Sequence, residues 1–272
     1  MNSIIIQQFK KDNANFSLLM GIPAFGGNLK AGFTQSILKL QFYLFQLQIP
    51  HDFYFMEGES LICRGRNAIV SNFLESMHSH LLFLDTDLVF NPTAILHMIV
   101  QNLDIVGLSY PKKGINWAKC SYLIENKKPL QGRLCDMNFN PELTKEGNAI
   151  VNGRYMKAKD IPTGAMLINK NVFYSMMRRY PELRYKNNVS GYASKMCYDF
   201  FKVGVDPDSG FYLSEDYYFC KLAKDCGFEL WIDYQTPLGH IGSFEFQGSI
   251  QGELDDKLIQ FNKDLIEVNY NR

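Results

Sequence analysis

Residues 81–90 read Leu81-Leu82-Phe83-Leu84-Asp85-Thr86-Asp87-Leu88-Val89-Phe90. Four apolar residues run unbroken into Asp-Thr-Asp, and further apolar residues follow. A short continuous apolar run predicts a strand buried on both faces, as in the interior of a mostly parallel sheet. Two carboxylates closing such a strand are costly unless something positive meets them. In open α/β sheets, the crevice at the carboxyl ends of the strands receives the ligand. Residues two apart on a strand face the same side, with Cα atoms roughly 6–7 Å apart. Asp85 and Asp87 are therefore expected to share one polyanionic ligand and its metal. The competing reading is a polar strand-end turn, which Asn91-Pro92 just downstream also suits.

Upstream, Cys63-Arg64-Gly65-Arg66-Asn67 opens an expected helix carrying Ile69, Phe73 and Met77. Arginines near a helix N-terminus oppose the macrodipole unless an anion is present. Arg64 and Arg66 are thus candidates for a diphosphate or carboxylate, or for pairing with Glu57 or Glu59. Before them, Phe53-Tyr54-Phe55-Met56 reads as a strand, and Phe33, Ile37, Leu40, Leu44 and Leu47 as one amphipathic helix ended by Pro50. The first strand, Phe16-Ser17-Leu18-Leu19-Met20, runs into Gly21-Ile22-Pro23-Ala24-Phe25-Gly26-Gly27. Such a loop is either a nucleotide site or a plain strand-to-helix turn, and G-x-G-x-x-G is absent from it. Residues before about position 15 read as a polar lead-in.

Downstream, a helix starts at Pro92 and a buried strand at Ile105. The strand–helix alternation predicts a doubly wound α/β half with parallel strands. From 110 to about 159 the pattern weakens into short strands and turns. Order returns in Thr163-Gly164-Ala165-Met166-Leu167-Ile168, a loop feeding a strand, followed by a helix with Phe173, Met176, Met177 and Tyr180 on one face. Residues 181–210 are loop-like. Ser214-Glu215-Asp216 starts a helix closed by Gly227, Leu230-Trp231-Ile232 is a last core strand, and His240 is flanked by glycines. The expected organisation is one domain: a nucleotide half over about 16–110, an acceptor half over about 111–250, and a C-terminal helix over about 253–268.

Composition narrows the function. With 28 Lys and Arg against 28 Asp and Glu, no overall field draws the 272-residue chain to nucleic acid. Six scattered cysteines without a C-x-x-C pair speak against a zinc ribbon or disulfide scaffold and suit a reducing compartment. No stretch reads as a signal peptide or membrane span, so a soluble, cytoplasmic protein is expected.

Asp85-x-Asp87, Glu215-Asp216 and His240, in this order, resemble a GT-A type glycosyltransferase of the large family-2-like group. The resemblance also covers Gly65-Arg66-Asn67 before the D-x-D strand, Thr163–Ile168 with Val172-Phe173, and Glu215–Cys220 with Gly227. It implies an α/β, GT-A (Rossmann-like) mixed sheet flanked by helices, and transfer of a sugar from a UDP-, GDP- or dTDP-sugar to a glycan or other hydroxyl acceptor. By resemblance, Asp87 is the main ligand of Mn²⁺ or Mg²⁺, His240 completes the metal shell, and Asp85 contacts ribose or sugar hydroxyls with the metal nearby. Asp216 is the base of an inverting displacement, with Glu215 positioning. Pro23, Ala24, Phe25, Glu57, Arg64, Arg66, Asn67, Thr86, Gly164 and Ala165 are the expected donor-pocket residues.

Two departures stand out. Met56-Glu57-Gly58-Glu59-Ser60 replaces the usual Asp-rich segment that touches the base, and Ile22-Pro23-Ala24-Phe25 only partly meets the usual first-strand wording. The alternatives are a sugar nucleotidyltransferase, although residues 21–27 lack the Lys or Arg a triphosphate loop needs, and a non-catalytic glycan- or partner-binding domain.

Overall fold

The apolar runs and amphipathic stretches fold as helices on both faces of a sheet. The computed structural model describes residues 3–187, 196–255 and 266–267. In chain order these begin with α1 (Ser3–Asp12), β1 (Leu18–Pro23), α2 (Ala31–Gln46), β2 (His51–Met56), α3 (Ile62–Glu75), β3 (His80–Leu84), β4 (Leu88–Val89), α4 (Pro92–Gln101) and β5 (Ile105–Leu108). Next come α5 (Trp117–Glu125), β6 (Asn140–Pro141), β7 (Ile150–Asn152), β8 (Tyr155–Asp160), β9 (Ala165–Asn169), α6 (Lys170–Arg179), β10 (Gly204–Val205) and β11 (Tyr212–Leu213). The remainder is α7 (Glu215–Asp225), β12 (Leu230–Asp233), β13 (Leu238–Ile241), β14 (Glu245–Gly248), α8 (Ile250–Asp255) and β15 (Ile266–Glu267).

The main sheet has the order β15-β7-β8-β12-β5-β9-β3-β1-β2, with β6 on β8. β1, β2 and β3 are parallel. β9 lies antiparallel between β3 and β5, so β5 runs with β3, and β12 runs parallel to β5. β1, β2, β3, β5 and β12 therefore end their carboxyl termini along one edge of a mixed sheet. Alternate residues feed the two cores. Leu18, Met20, Leu82, Leu84 and Leu167 pack with α1, α2 and α4, whereas Leu19, Leu81, Phe83, Met166 and Ile168 pack with α3, α6 and α7. Burial on both faces is why these strands read as continuous apolar runs. At Gly21 a Cβ would lie 2.3 Å from Ile69 Cγ2, so α3 rests directly on β1.

Several boundaries differ from expectation. The polar lead-in is helix α1, because Ile6 and Phe9 are buried and Phe9 meets the Phe16 ring edge-on at 5.2 Å. Helix α5 lies in the segment read as irregular; Trp117 and Ile124 on it are exposed, which hides its periodicity. Met77 falls beyond the end of α3 and is exposed. His240, preceded by Gly239 and followed by Gly242, sits within β13, paired to β4 and β14. Of the helix expected over 253–268, the residues to Asp255 are helical, 256–265 lie outside the described residues, and Ile266–Glu267 pair with β7 as a strand.

Candidate functional site

Asp85-Thr86-Asp87 links β3 to β4 at the carboxyl edge of the sheet. The Leu88 N–H donates to the Asp85 carbonyl at 3.3 Å, and the Asp85 N–H donates to the Gly164 carbonyl at 2.8 Å. Strand alternation stops at Leu84, so the two-residue rule no longer places the two aspartates on one ligand. Asp85 continues toward α3 and α7, whereas Asp87 turns to β13. The structure sets Asp85 beside Arg66 and Asp87 beside His240, in two neighbouring clusters.

In the first cluster, Arg66 Nη2 donates to Asp85 Oδ1 at 3.1 Å and Arg66 Nε lies 3.6 Å from Glu215 Oε1. The guanidinium sits over the Phe83 ring at 5.4 Å and is 4% exposed. Burial works against its charge, but the Asp85 and Glu215 carboxylates outweigh burial and hold its pKa above the ordinary value. Glu215 is pushed up by burial and by the charge of Asp216, against the pull of Arg66. Asp216 Oδ1 accepts from the Ser214 hydroxyl and, at 3.0 Å, from the Tyr217 N–H. Ser214 stands at the N-cap of α7, yet its hydroxyl serves Asp216 rather than a helix amide. The charges of both Asp85 and Asp216 reach the Arg66 guanidinium, which joins the D-x-D and E-D segments electrostatically.

In the second cluster, His240 Nε2 lies 3.4 Å from Asp87 Oδ1, and Lys113 Nζ makes an ion pair with Asp87 Oδ2. His240 Nδ1 is 2.8 Å from the Pro111 carbonyl oxygen. A carbonyl only accepts, so Nδ1 carries a proton, and it is Nε2 that faces the carboxylate oxygen. Two acceptors face each other there unless a proton or a metal cation lies between them. Burial raises the Asp87 pKa, but hydrogen bonds and charge from His240 and Lys113 prevail and hold it at about 2. The Tyr110 ring meets the His240 ring edge-on at 4.9 Å. Its hydroxyl fills the space above Gly164, where a Cβ would lie 2.6 Å away. Burial and then the Asp85 charge push the Tyr110 hydroxyl well above its usual pKa.

These residues fit a divalent cation in part. A carboxylate and an imidazole held by its second-shell carbonyl suit Mn²⁺ or Mg²⁺. Among the described residues no three His, Cys, Asp or Glu side chains gather as a metal set. Asp87 and His240 therefore offer two ligands, leaving the other positions to phosphate oxygens and water.

The other expected donor residues divide. Pro23 ends β1, Ala24 is buried with its N–H on the Met56 carbonyl at 2.8 Å, and Phe25 is exposed in a short turn. That turn contains Gly26 and Gly27 at φ 80° and 68°, left-handed backbone that favours glycine. Glu57 is exposed beside it, with Oε2 3.9 Å from where a Gly27 Cβ would stand. The Thr86 carbonyl accepts from the Lys30 N–H at 3.2 Å, and Gly164 and Ala165 are buried at the head of β9.

Arg64 and Asn67 are both bonded within the protein. Arg64 forks onto the buried Glu59 at 2.6 and 2.9 Å, the pairing the sequence offered as the alternative to an anionic ligand. The Asn67 amide donates to Asp199 at 2.7 Å and accepts from the Phe201 N–H at 3.0 Å, tying α3 to the chain before β10. Both residues line a separate pocket of about 310 Å³ with Tyr185 and Lys202. Tyr110 and Lys113 escaped the sequence reading; their signal was position, since they follow β5 at the same edge as the D-x-D segment. None of the six cysteines forms a disulfide. Among the described residues no helix is long and apolar enough to cross a membrane.

No protein-family model matches the chain, and no curated protein matches it. Solved structures that resemble it include A197 from STIV, at 13% identity and a TM-score of 0.47 over 94% of this chain and 100% of that one. GalNAc-T7, in a structure with UDP, GalNAc and Mn²⁺, is 10% identical with a TM-score of 0.43 over 89% of this chain and 53% of that one. The inositol-1-phosphate CTP transferase from T. maritima is 11% identical with a TM-score of 0.36 over 84% and 89%. Likenesses this distant carry no activity over to this chain.

Proposed function

We propose that the chain is a GT-A type, metal-dependent glycosyltransferase that moves a sugar from a nucleoside diphosphate to a glycan or other hydroxyl acceptor, with inversion. The observation that supports it is one sheet edge holding the Asp87–His240 pair and Asp216 on either side of the Asp85–Arg66–Glu215 bridge. Asp87 and His240 would hold the cation together with the donor diphosphate. When bound, a divalent cation supplies Lewis-acid charge against the negative charge growing on the leaving group. Phe25, with Pro23, Ala24 and Glu57 around it, offers the nucleoside a partly apolar ledge. Asp85, whose two oxygens both accept from Arg66 Nη2 at 3.1 and 3.4 Å, faces ribose or sugar hydroxyls with its remaining lone pairs.

Asp216 is the base. Its Oδ1 is held by Ser214 and the Tyr217 amide, which leaves Oδ2 to accept a proton. The acceptor oxygen bonds to the anomeric carbon, the bond from that carbon to the diphosphate breaks, and the acceptor proton passes to Asp216. Glu215, locked to Arg66, fixes the start of α7 and so the aim of Asp216.

The test is a screen of UDP-, GDP- and dTDP-sugars for binding and hydrolysis with and without Mn²⁺, alongside Asp87→Ala and Asp216→Asn. Expected are Mn²⁺-dependent turnover of one donor, its loss in Asp87→Ala, and retained donor binding without transfer in Asp216→Asn. Absence of binding to every donor, or wild-type turnover in Asp87→Ala, sinks the proposal. Pyrophosphate release from a nucleoside triphosphate and a sugar phosphate would instead identify a nucleotidyltransferase.

A further inference from the structure

Lys113 stands where the proposed cation has to act. Its ammonium pairs with Asp87 Oδ2 while His240 Nε2 faces Oδ1, so both carboxylate oxygens are spoken for by positive or potentially positive groups. The lysine sits on a tight turn whose backbone is pinned at both sides: Lys112 N–H donates to the Asp136 carbonyl at 2.8 Å, and Gly114 N–H to the Lys112 carbonyl at 2.9 Å. Its stem runs beside Gly242, where a Cβ would stand 3.3 Å from Lys113 Cδ. The turn and stem are thus fixed, while the side chain is still 37% exposed and its ammonium has open solvent to move into.

We propose that Lys113 is a built-in stand-in for the cation, holding Asp87 in the free protein and passing to the donor diphosphate when cation and nucleotide arrive together. The proposal rests on the metal reading of Asp87 and His240. An ammonium and a divalent cation repel each other across one carboxylate, so a bare cation must first displace the lysine. Arg64 and Arg66 are already engaged by Glu59 and by Asp85 with Glu215, and a diphosphate offers the displaced ammonium a new partner. Cation and nucleotide therefore bind with positive coupling, which by linkage is the same factor in either order. With the lysine off Asp87 in about one molecule in ten, bare-cation affinity is reduced about tenfold, because only the competent fraction binds.

The experiment titrates MnCl₂ into wild-type protein and Lys113→Met by electron paramagnetic resonance and calorimetry, alone and with saturating UDP or GDP. Lys113→Met is expected to bind bare Mn²⁺ about tenfold more tightly, and the enhancement by nucleotide shrinks by a similar factor. Lys113→Arg, which keeps the charge, behaves as wild type. Asp87→Asn weakens Mn²⁺ binding in every background. Should Lys113→Met melt below the assay temperature, Lys113→Gln gives the same comparison. Equal Mn²⁺ affinity in wild type and both neutral variants, with Asp87→Asn still weakening it, overturns the role of the lysine and leaves the metal reading standing. Mn²⁺ binding by none of them, with or without nucleotide, overturns both.

Discussion

Replacing Arg66 by methionine removes the cation that two carboxylates converge on. The guanidinium is 4% exposed, 3.1 Å from Asp85 and 3.6 Å from Glu215, and lies over the Phe83 ring. Removing one member of a buried ion pair costs roughly 3–5 kcal/mol, because the other charge is left without compensation. Asp85 and Glu215 retain 28% and 18% side-chain exposure, so water relieves part of that cost and the lower end, about 3 kcal/mol, is expected. Equilibrium urea unfolding at neutral pH measures it. The double variant Arg66→Met with Asp85→Asn is expected to lose less than the sum of the singles, by about 1–2 kcal/mol, as residues sharing one network do. A loss below about 1 kcal/mol for Arg66→Met, or strict additivity in the cycle, would refute the view that this arginine holds the two acidic segments together.

Two further tests concern the scaffold. Lys119 on α5 is buried and bonds the Cys135 carbonyl at 2.6 Å and Glu253 on α8. Glu253→Gln is expected to destabilise by about 3 kcal/mol in urea, and Lys119→Met with Glu253→Leu to regain most of it. His80 is buried against Phe16 at 4.4 Å, and burial drops its pKa from 6.5 to about 4. The unfolded chain therefore takes up the proton first on acidification. The contribution is complete above pH 6.5 and is lost as pH falls toward 4, by up to about 3 kcal/mol. Stability against pH for wild type and His80→Leu checks this; the variant is expected to show a shallower slope in that window.

The fold was legible wherever burial imposes a period. β3 and β9 lie between two helical layers and so read as continuous apolar runs, and α2 carries a clean core stripe. Helices α1 and α5 were hidden for opposite reasons: α1 buries only a few side chains, and α5 leaves large apolar ones in solvent. At the site, the residue types and their order along the chain were legible, but their partners were not. Arg64 and Arg66 looked equivalent, yet residues two apart on a helix point about 200° apart. One therefore faces the sheet edge and the other faces away, where Glu59 waits. The separation of Asp85 from Asp87 depends on the strand stopping at Leu84, the strand-end turn that the sequence offered only as the competing reading.

The charge pattern gives a physical reason for a cation beyond any motif. Asp85, Asp87, Glu215 and Asp216 stand at this edge against the fixed positive charges of Arg66 and Lys113. Arg66 is consumed by Asp85 and Glu215, which leaves Lys113 as the fixed positive charge facing Asp87. A diphosphate entering such an edge brings about two more negative charges into a place where water is thinned and repulsion is less screened than in bulk. Left alone, the edge repels its proposed donor. With Lys113 on Asp87, the Asp87 carboxylate is already neutralised and the barrier to approach falls. With a divalent cation there instead, the same carboxylate becomes part of the attraction. An edge built this way keeps the proposed base, Asp216, close to the proposed leaving group without driving it out.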